Sequence, residues 1–431
     1  MERMYKIGAF SLYVLVVCIP FVLKKFLASL YGIDQEYMKA FVYASDFALL
    51  LLFTCGIYFI IMRREYVWFF GFSPLVISLF ADNFSIGLYY GIRFSVLCIA
   101  IYGISEILRD NRKRMVRVCV LLGVLAVTES FLALLQWTSE GSIGLRILGE
   151  PIVDPFIQGV AKFVVDGDVL VRSYGTFLHP NILGCFLGIG FLSTVYVFIW
   201  VREYYGERYF YYRIIIGGAC MFVILSGVIL TFSRTSWIML DSMLILISLY
   251  GFFTRRKWRR ELFVIYGVSY IILYSILGHF VLSRITSISH DPGVELRGKY
   301  MEVGWEIIKD RPIVGVGIGN SMIHAEEHGV YNALLLFEEW QKQPTHNLYV
   351  LILAELGIAG FILFVYFVSK NAYGFLSLKG TSREWEMVLM GTLLIFILGV
   401  GMFDHFLWTI EQGRLMFVLV FGMVRGIRPR S

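Results

Sequence analysis

Charge is scarce in this sequence. Asp, Glu, Lys and Arg make up only 16% of its 431 residues, against about 25% in ordinary soluble chains, while 58% are hydrophobic. A water-soluble core cannot hide that much apolar surface, so a set of soluble domains is excluded and lipid must solvate much of the chain. Cysteine is sparse as well. Cys18, Cys55, Cys98, Cys119, Cys185 and Cys220 all fall inside apolar runs and form no CxxC pair, which leaves neither a disulfide framework nor a thiolate metal site. Internal repeats and low-complexity tracts are missing. So is a nucleotide loop: in the run Gly315, Gly317, Gly319, Asn320 stands where a further glycine would be needed, and no βαβ unit surrounds it. That run reads instead as a glycine hinge.

What remains is a polytopic, all-α membrane protein. Apolar runs long enough to cross about 30 Å of hydrocarbon begin near Ile7, Ala40, Tyr66, Ile86, Val116, Phe177, Ile214, Thr235, Leu262, Asn347, Met387 and Phe406. Twelve spans are expected, with eleven or thirteen still open because the third is short and contains Pro74. The first lacks a small-x-small cleavage pattern and reads as a retained helix. With the N-terminus inside, 23 of the 38 basic residues fall on cytoplasmic segments, from Arg3 to the 425–430 run, 13 fall outside, and Arg93 and Arg414 lie within spans. The positive-inside rule then places both termini in the cytoplasm.

This map divides the chain into spans one to five (1–137), a long outer loop (138–176), spans six to nine (177–282), a larger outer loop (283–346) and spans ten to twelve (347–431). Long loops commonly carry function. The second holds two expected surface helices, Glu295 to Lys309 and Ser321 to Trp340.

Ionisable groups inside spans are expensive and tend to mark sites. Asp46, Arg93, Glu129, Asp241, Glu355 and Arg414 all lie in the outer half of their helices, and only Glu106 lies near an inner end. Two readings stand: a polar basin open to the outside, or structural ion pairs that join Arg93 or Arg414 to one of the acids.

The strongest motif straddles the second loop and the tenth span: His346, Asn347, nine residues, then Gly357, Ile358, Ala359, Gly360. A histidine at a loop-to-helix boundary reaches water, and its ordinary pKa near 6.5 suits a general base. Asn347 is expected to orient it or meet sugar hydroxyls, and Gly357 with Gly360 to permit close helix packing. A second block, RSYGTFLHPN, runs from Arg172 to Asn181; a third is Ser233–Arg234; a fourth runs from Arg297 through Trp305 to Gly319. Guanidinium forks bind diphosphate oxygens and keep their charge at any physiological pH, so Arg172, Arg234 and Arg297 are the candidate anion-binding groups.

Together with the near-terminal FDHFLWTIEQG, these blocks resemble the O-antigen ligase and O-antigen polymerase superfamily of C-type glycosyltransferases, over the chain from Arg172 onward. The resemblance implies transfer of a glycan from undecaprenyl diphosphate to an acceptor hydroxyl at the outer face of the bacterial inner membrane, without nucleotide sugar, cofactor or metal. It implies His346 as catalytic base, Arg172 at the donor diphosphate and Arg234 as a second such group. The acceptor is either the lipid A core (ligase) or a second lipid-linked repeat unit (polymerase). The HNx9GxxG signature tips the reading toward ligase. A membrane transporter or flippase is the more distant alternative; nucleic acid is not an expected partner.

Overall fold

The computed structural model describes residues 1–30, 38–109, 111–287, 292–373, 376 and 378–428; Arg430 of the last basic cluster and positions 288–291 of the second loop lie outside them. Helices dominate. In chain order they are α1 (Glu2–Cys18), α2 (Ser45–Arg63), α3 (Ser73–Ile77), α4 (Phe84–Leu108), α5 (Arg112–Ser139), α6 (Pro180–Tyr205), α7 (Phe210–Tyr212), α8 (Gly218–Leu230), α9 (Arg234–Phe253), α10 (Trp258–Thr286), α11 (Pro292–Asp310), α12 (Ser321–Glu327), α13 (Val330–Ala333), α14 (Leu348–Tyr373), α15 (Glu384–Gly401), α16 (Phe406–Thr409) and α17 (Glu411–Gly426). Two antiparallel ribbons sit between them: β1 (Lys24–Ser29) with β2 (Lys39–Tyr43), and β3 (Lys162–Val165) with β4 (Asp168–Val171).

Among the described residues nine helices are long and apolar enough to cross a membrane, counting Phe210–Leu230 as one. This is a membrane protein of all-α class. The other three expected runs are helical but shorter. The 66–80 stretch is broken into 3₁₀ and α turns around Pro74, and the run from Phe406 is interrupted at Ile410, whose backbone is extended.

Close packing follows from small residues. A Cβ at Gly103 would lie 2.4 Å from the Leu52 carbonyl oxygen, and one at Gly56 2.5 Å from that of Ile99; α2 and α4 touch main chain to main chain, as lipid-embedded helices do when driven by packing alone. The best-enclosed helix is α6, with 89% of its apolar window buried, whereas α10 is peripheral at 17%. A helix solvated by protein on every side cannot shift without repacking its neighbours, so the first turn of α6 is a firm base for whatever it carries.

The second loop departs from expectation. The helix expected over Ser321–Trp340 is three short pieces, because Gly329 and Leu335 take positive φ (68° and 59°) and each breaks the ladder. Nor do these pieces simply lie on a bilayer: Tyr300, Val303 and Ile307 of α11 form a small core with Ala325, Tyr331, Leu336 and Ala354. The glycine run is no hinge. Residues 312–317 are spliced across a break in α14 at Gly357 (φ 62°, ψ −171°). Ile358 and Ala359 N–H donate to the carbonyls of Pro312 and Ile313 (2.9 and 3.1 Å), while Val316 and Gly317 N–H donate to those of Ala354 and Glu355 (3.1 and 2.8 Å). A Cβ at Gly357 would sit 2.3 Å from the Ile313 carbonyl carbon, so glycine is required there by both angle and space. Gly357 therefore admits a loop strand, where a partner helix was expected, and a Cβ at Gly360 would meet Leu356 of its own helix at 2.2 Å.

Candidate active site

The site is assembled from four ends of secondary structure. Asn347 caps α14: its Oδ1 accepts from the Tyr349 and Val350 N–H groups (3.0 and 3.1 Å), and its Nδ2 donates to the Met402 carbonyl at 2.9 Å. With its side chain so engaged, Asn347 ties the start of α14 to the loop after α15. His346, just before the cap, is half-buried. Its Nδ1 lies 3.1 Å from the Pro344 carbonyl oxygen. A carbonyl can only accept, so Nδ1 carries the proton and Nε2 keeps the lone pair. The ring stacks on Tyr300 of α11 (centroids 4.8 Å, 14° between planes) and meets His405 edge-on at 4.6 Å.

Asp404 and His405 occupy the loop between α15 and α16, both buried. The His405 ring bonds through Nδ1 to the Thr409 hydroxyl at 2.6 Å. The Asp404 carboxylate accepts from its neighbour's N–H through Oδ1 (2.8 Å) and from Asn181 Nδ2 through Oδ2 (2.9 Å). Asn181 belongs to the first turn of α6, and its own Oδ1 accepts from Arg172 Nη2 at 2.7 Å. Arg172 Nε donates to the Thr231 carbonyl at 2.8 Å, in the turn between α8 and α9. One hydrogen-bonded line thus runs from Arg172 through Asn181 to Asp404. His179, the cap of α6, accepts the Asn181 N–H on Nδ1 at 3.1 Å.

The electrostatics make one consistent state. Burial pushes the His346 imidazole below its ordinary pKa; Asp404 pulls upward, and Arg297 reinforces the depression. Burial, then His346, takes His405 down to about 3, and burial, then Arg172, takes His179 to about 3. Burial alone would raise the Asp404 carboxyl, but His346, His405, His179 and Arg297 hold it below the usual carboxylate range. At neutral pH the cluster is one carboxylate among neutral imidazoles, with arginines alongside.

The structure therefore brings His346, Arg297 and Arg172 to one locus. Arg234 is the first residue of α9, whose cap is Ser233, and it lines a neighbouring cleft of about 980 Å³ with Trp237, Asp241 and Tyr270. Arg93 and Arg414 are held in ion pairs: Arg93 with Asp46 and Glu411 (2.9 Å each), Arg414 with Glu411 at 3.0 Å. Of the two readings open for the in-span charges, these distances give the ion pairs. Glu355 accepts from Ser321 Oγ (2.9 Å) and Trp408 Nε1 (2.7 Å), a brace between the second loop and α16.

His346, Asp404 and His405 place ligand atoms within 4.8 Å of one another, the one such three-residue group among the described residues, and could in principle hold a cation. Both Asp404 oxygens already accept hydrogen bonds, and the adjacent arginines supply positive charge that competes with a metal ion.

Residues 219–365 match the family model described as O-antigen ligase. Over this stretch, about a third of the chain, the protein is similar to that family. That match takes in Arg234, Arg297, His346, Gly357 and Gly360, and it supports a likeness to the O-antigen ligase superfamily over this part of the chain. No curated protein matches the chain. Four polar residues around His346 were not assigned from sequence: His179, Asn181, Asp404 and His405. All lie in blocks that carry the resemblance, and each is a polar residue at the boundary of an apolar run.

Proposed function

We propose that this protein is a metal-independent, inverting O-antigen ligase. It moves a glycan from undecaprenyl diphosphate to a hydroxyl of the lipid A core at the outer face of the inner membrane, with both termini in the cytoplasm. The observation that carries this reading is His346: its Nδ1 is pinned to a carbonyl, its Nε2 bears the lone pair, and its charge is suppressed by burial and by Arg297.

In the reaction, His346 Nε2 takes the acceptor hydroxyl proton as the oxygen attacks the anomeric carbon. The new C–O bond forms opposite the breaking one, and the diphosphate departs with the electron pair, so a single displacement inverts the centre. Diphosphate leaves readily if its developing charge is met; Arg172 and Arg297 meet it, with Arg234 at the adjoining cleft. Asp404 then stabilises the imidazolium. The isoprenoid tail has a place in an apolar cleft of about 730 Å³ lined by Phe94, Leu97, Phe364 and Trp408. This cleft shares Phe94 and Trp408 with a smaller one that touches Pro344 and Thr409, the hydrogen-bonding partners of His346 and His405.

The test is incubation of purified protein with lipid-linked donor and either lipid A core or a second lipid-linked unit, with products identified by mass spectrometry. Glycan on the core supports the ligase. Extension on the carrier alone replaces it with a polymerase, and counterflow of labelled donor with no product replaces both with a transporter.

A further inference from the structure

A second cleft lies at the other end of α6. Its 26 residues carry the chain from Pro180 to Tyr205, roughly 39 Å at 1.5 Å per residue, so this end is a membrane thickness from His346. There a cavity of about 980 Å³ opens, walled by Val120 and Val124 of α5, Val197 and Val201 of α6, and Ile216. Arg213 also lines it. This residue is 5% exposed. Its Nη1 pairs with Glu261, its guanidinium lies over Phe198 at 4.5 Å, and its Nε and Nη2 have no hydrogen-bond partner among the described residues.

Buried donors without acceptors are rare, and each costs about 1–3 kcal/mol. Two on one guanidinium point to an acceptor that belongs to another molecule. Two further observations agree. Arg213–Gly217 is a single π-helical turn, an irregularity found frequently at functional sites. The surrounding segments 202–213 and 255–261 hold eight basic and three acidic residues, a surplus that attracts anionic headgroups. Tyr205, Tyr209 and Tyr212 stand at the rim, at the interfacial depth aromatic side chains favour.

We propose that this cleft binds an acidic glycerophospholipid of the leaflet opposite the His346 site. Its phosphate oxygens accept from Arg213 Nε and Nη2, and an acyl chain runs along the valine wall. The apolar wall makes a lipid, rather than free phosphate, the occupant.

The experiment uses the full-length protein, stripped of lipid in mild detergent, and titrates dioleoyl phosphatidylglycerol against dioleoyl phosphatidylcholine. Retention is read by native mass spectrometry and stability by thermal unfolding. The wild type is expected to retain phosphatidylglycerol at least tenfold better and to gain several degrees in Tm from it alone. Arg213→Gln should retain both lipids equally. Val120→Trp, which fills the cleft but leaves the Arg213–Glu261 pair intact, should lose retention as well, and it decides the matter if Arg213→Gln fails to fold. Millimolar inorganic phosphate should neither compete nor raise Tm. Equal retention of the two lipids by the wild type, unchanged preference in Val120→Trp, or displacement by inorganic phosphate would each overturn the assignment.

Discussion

The imidazole of His346 lies face to face with the phenol ring of Tyr300, centroids 4.8 Å apart and planes 14° from parallel. Tyr300 is buried on α11, and its main-chain carbonyl accepts from the Thr345 hydroxyl at 2.9 Å. The second long loop thus holds the histidine from one side while the α15–α16 loop holds it from the other. In the proposed role as base, a side chain confined this way would retain its alignment with an incoming hydroxyl, the geometric condition for efficient proton transfer.

Replacing His346 with Ala should lower transfer by about two to four orders of magnitude, the usual contribution of a general base. Membrane abundance and thermal stability should change little, since the half-exposed ring closes no ion pair. Glycan transfer to a labelled acceptor, normalised to protein in the membrane fraction, checks this; activity near wild type removes His346 from the mechanism.

The pH profile carries a sign. A base whose pKa is held below 6.5 stays unprotonated as acid is added, so the acid limb of kcat/KM should fall below pH 6.5. Arg297 contributes to that depression. Arg297→Gln should therefore raise the histidine pKa and move the limb to higher pH, whereas Asp404→Asn removes an upward pull and should move it lower. A limb that stays in place in both variants contradicts the electrostatic account.

Activity should survive EDTA. If instead it is lost and returns with Zn²⁺ or Mn²⁺, the His346, Asp404 and His405 group is a metal site and the arginine chemistry is wrong.

Gly357→Ala should destabilise the protein by about 3 kcal/mol or more, from a strained positive φ and an overpacked contact with Ile313. Gly298→Ala offers the contrast: its Cβ would meet nothing within 4 Å, and on a helix the change should be neutral or stabilising by up to about 1 kcal/mol. Thermal unfolding in detergent separates the two.

Glu411 joins the buried Arg414 to the half-buried Arg93. Glu411→Ala takes the carboxylate from Arg414, while Arg93 keeps Asp46; breaking a buried pair typically costs about 3–5 kcal/mol, so yield and Tm should drop sharply. An unchanged melting temperature would mean that water reaches the network.

The positions of the helices were legible because lipid imposes long apolar runs, and His346 because a lone histidine at a helix start beside a spaced glycine pair is unusual. The partners of His346 were not. Asn181 and Asp404 bond across 223 positions, and no one-dimensional spacing encodes a meeting between two such boundaries. Gly357 was readable as necessary but not for its reason: helix periodicity implies a neighbouring helix, whereas positive φ and the loop segment 312–317 belong to tertiary structure. The helix expected over 321–340 failed where Leu335 adopts a conformation its residue type disfavours, a choice made by the packing of Leu336 and Tyr331 into the loop's own core. In-span charges announced themselves by cost, yet composition alone could not say whether Arg93 faces substrate or Asp46.

The four main-chain bonds that splice residues 312–317 into the gap of α14 have one more effect. They clamp this part of the second long loop to the membrane bundle, so it cannot swing as a hinged cover. Under the proposed transfer, a saccharide acceptor would meet an edge whose outline is already set there, and discrimination at that edge would rest on the shape of a rigid doorway.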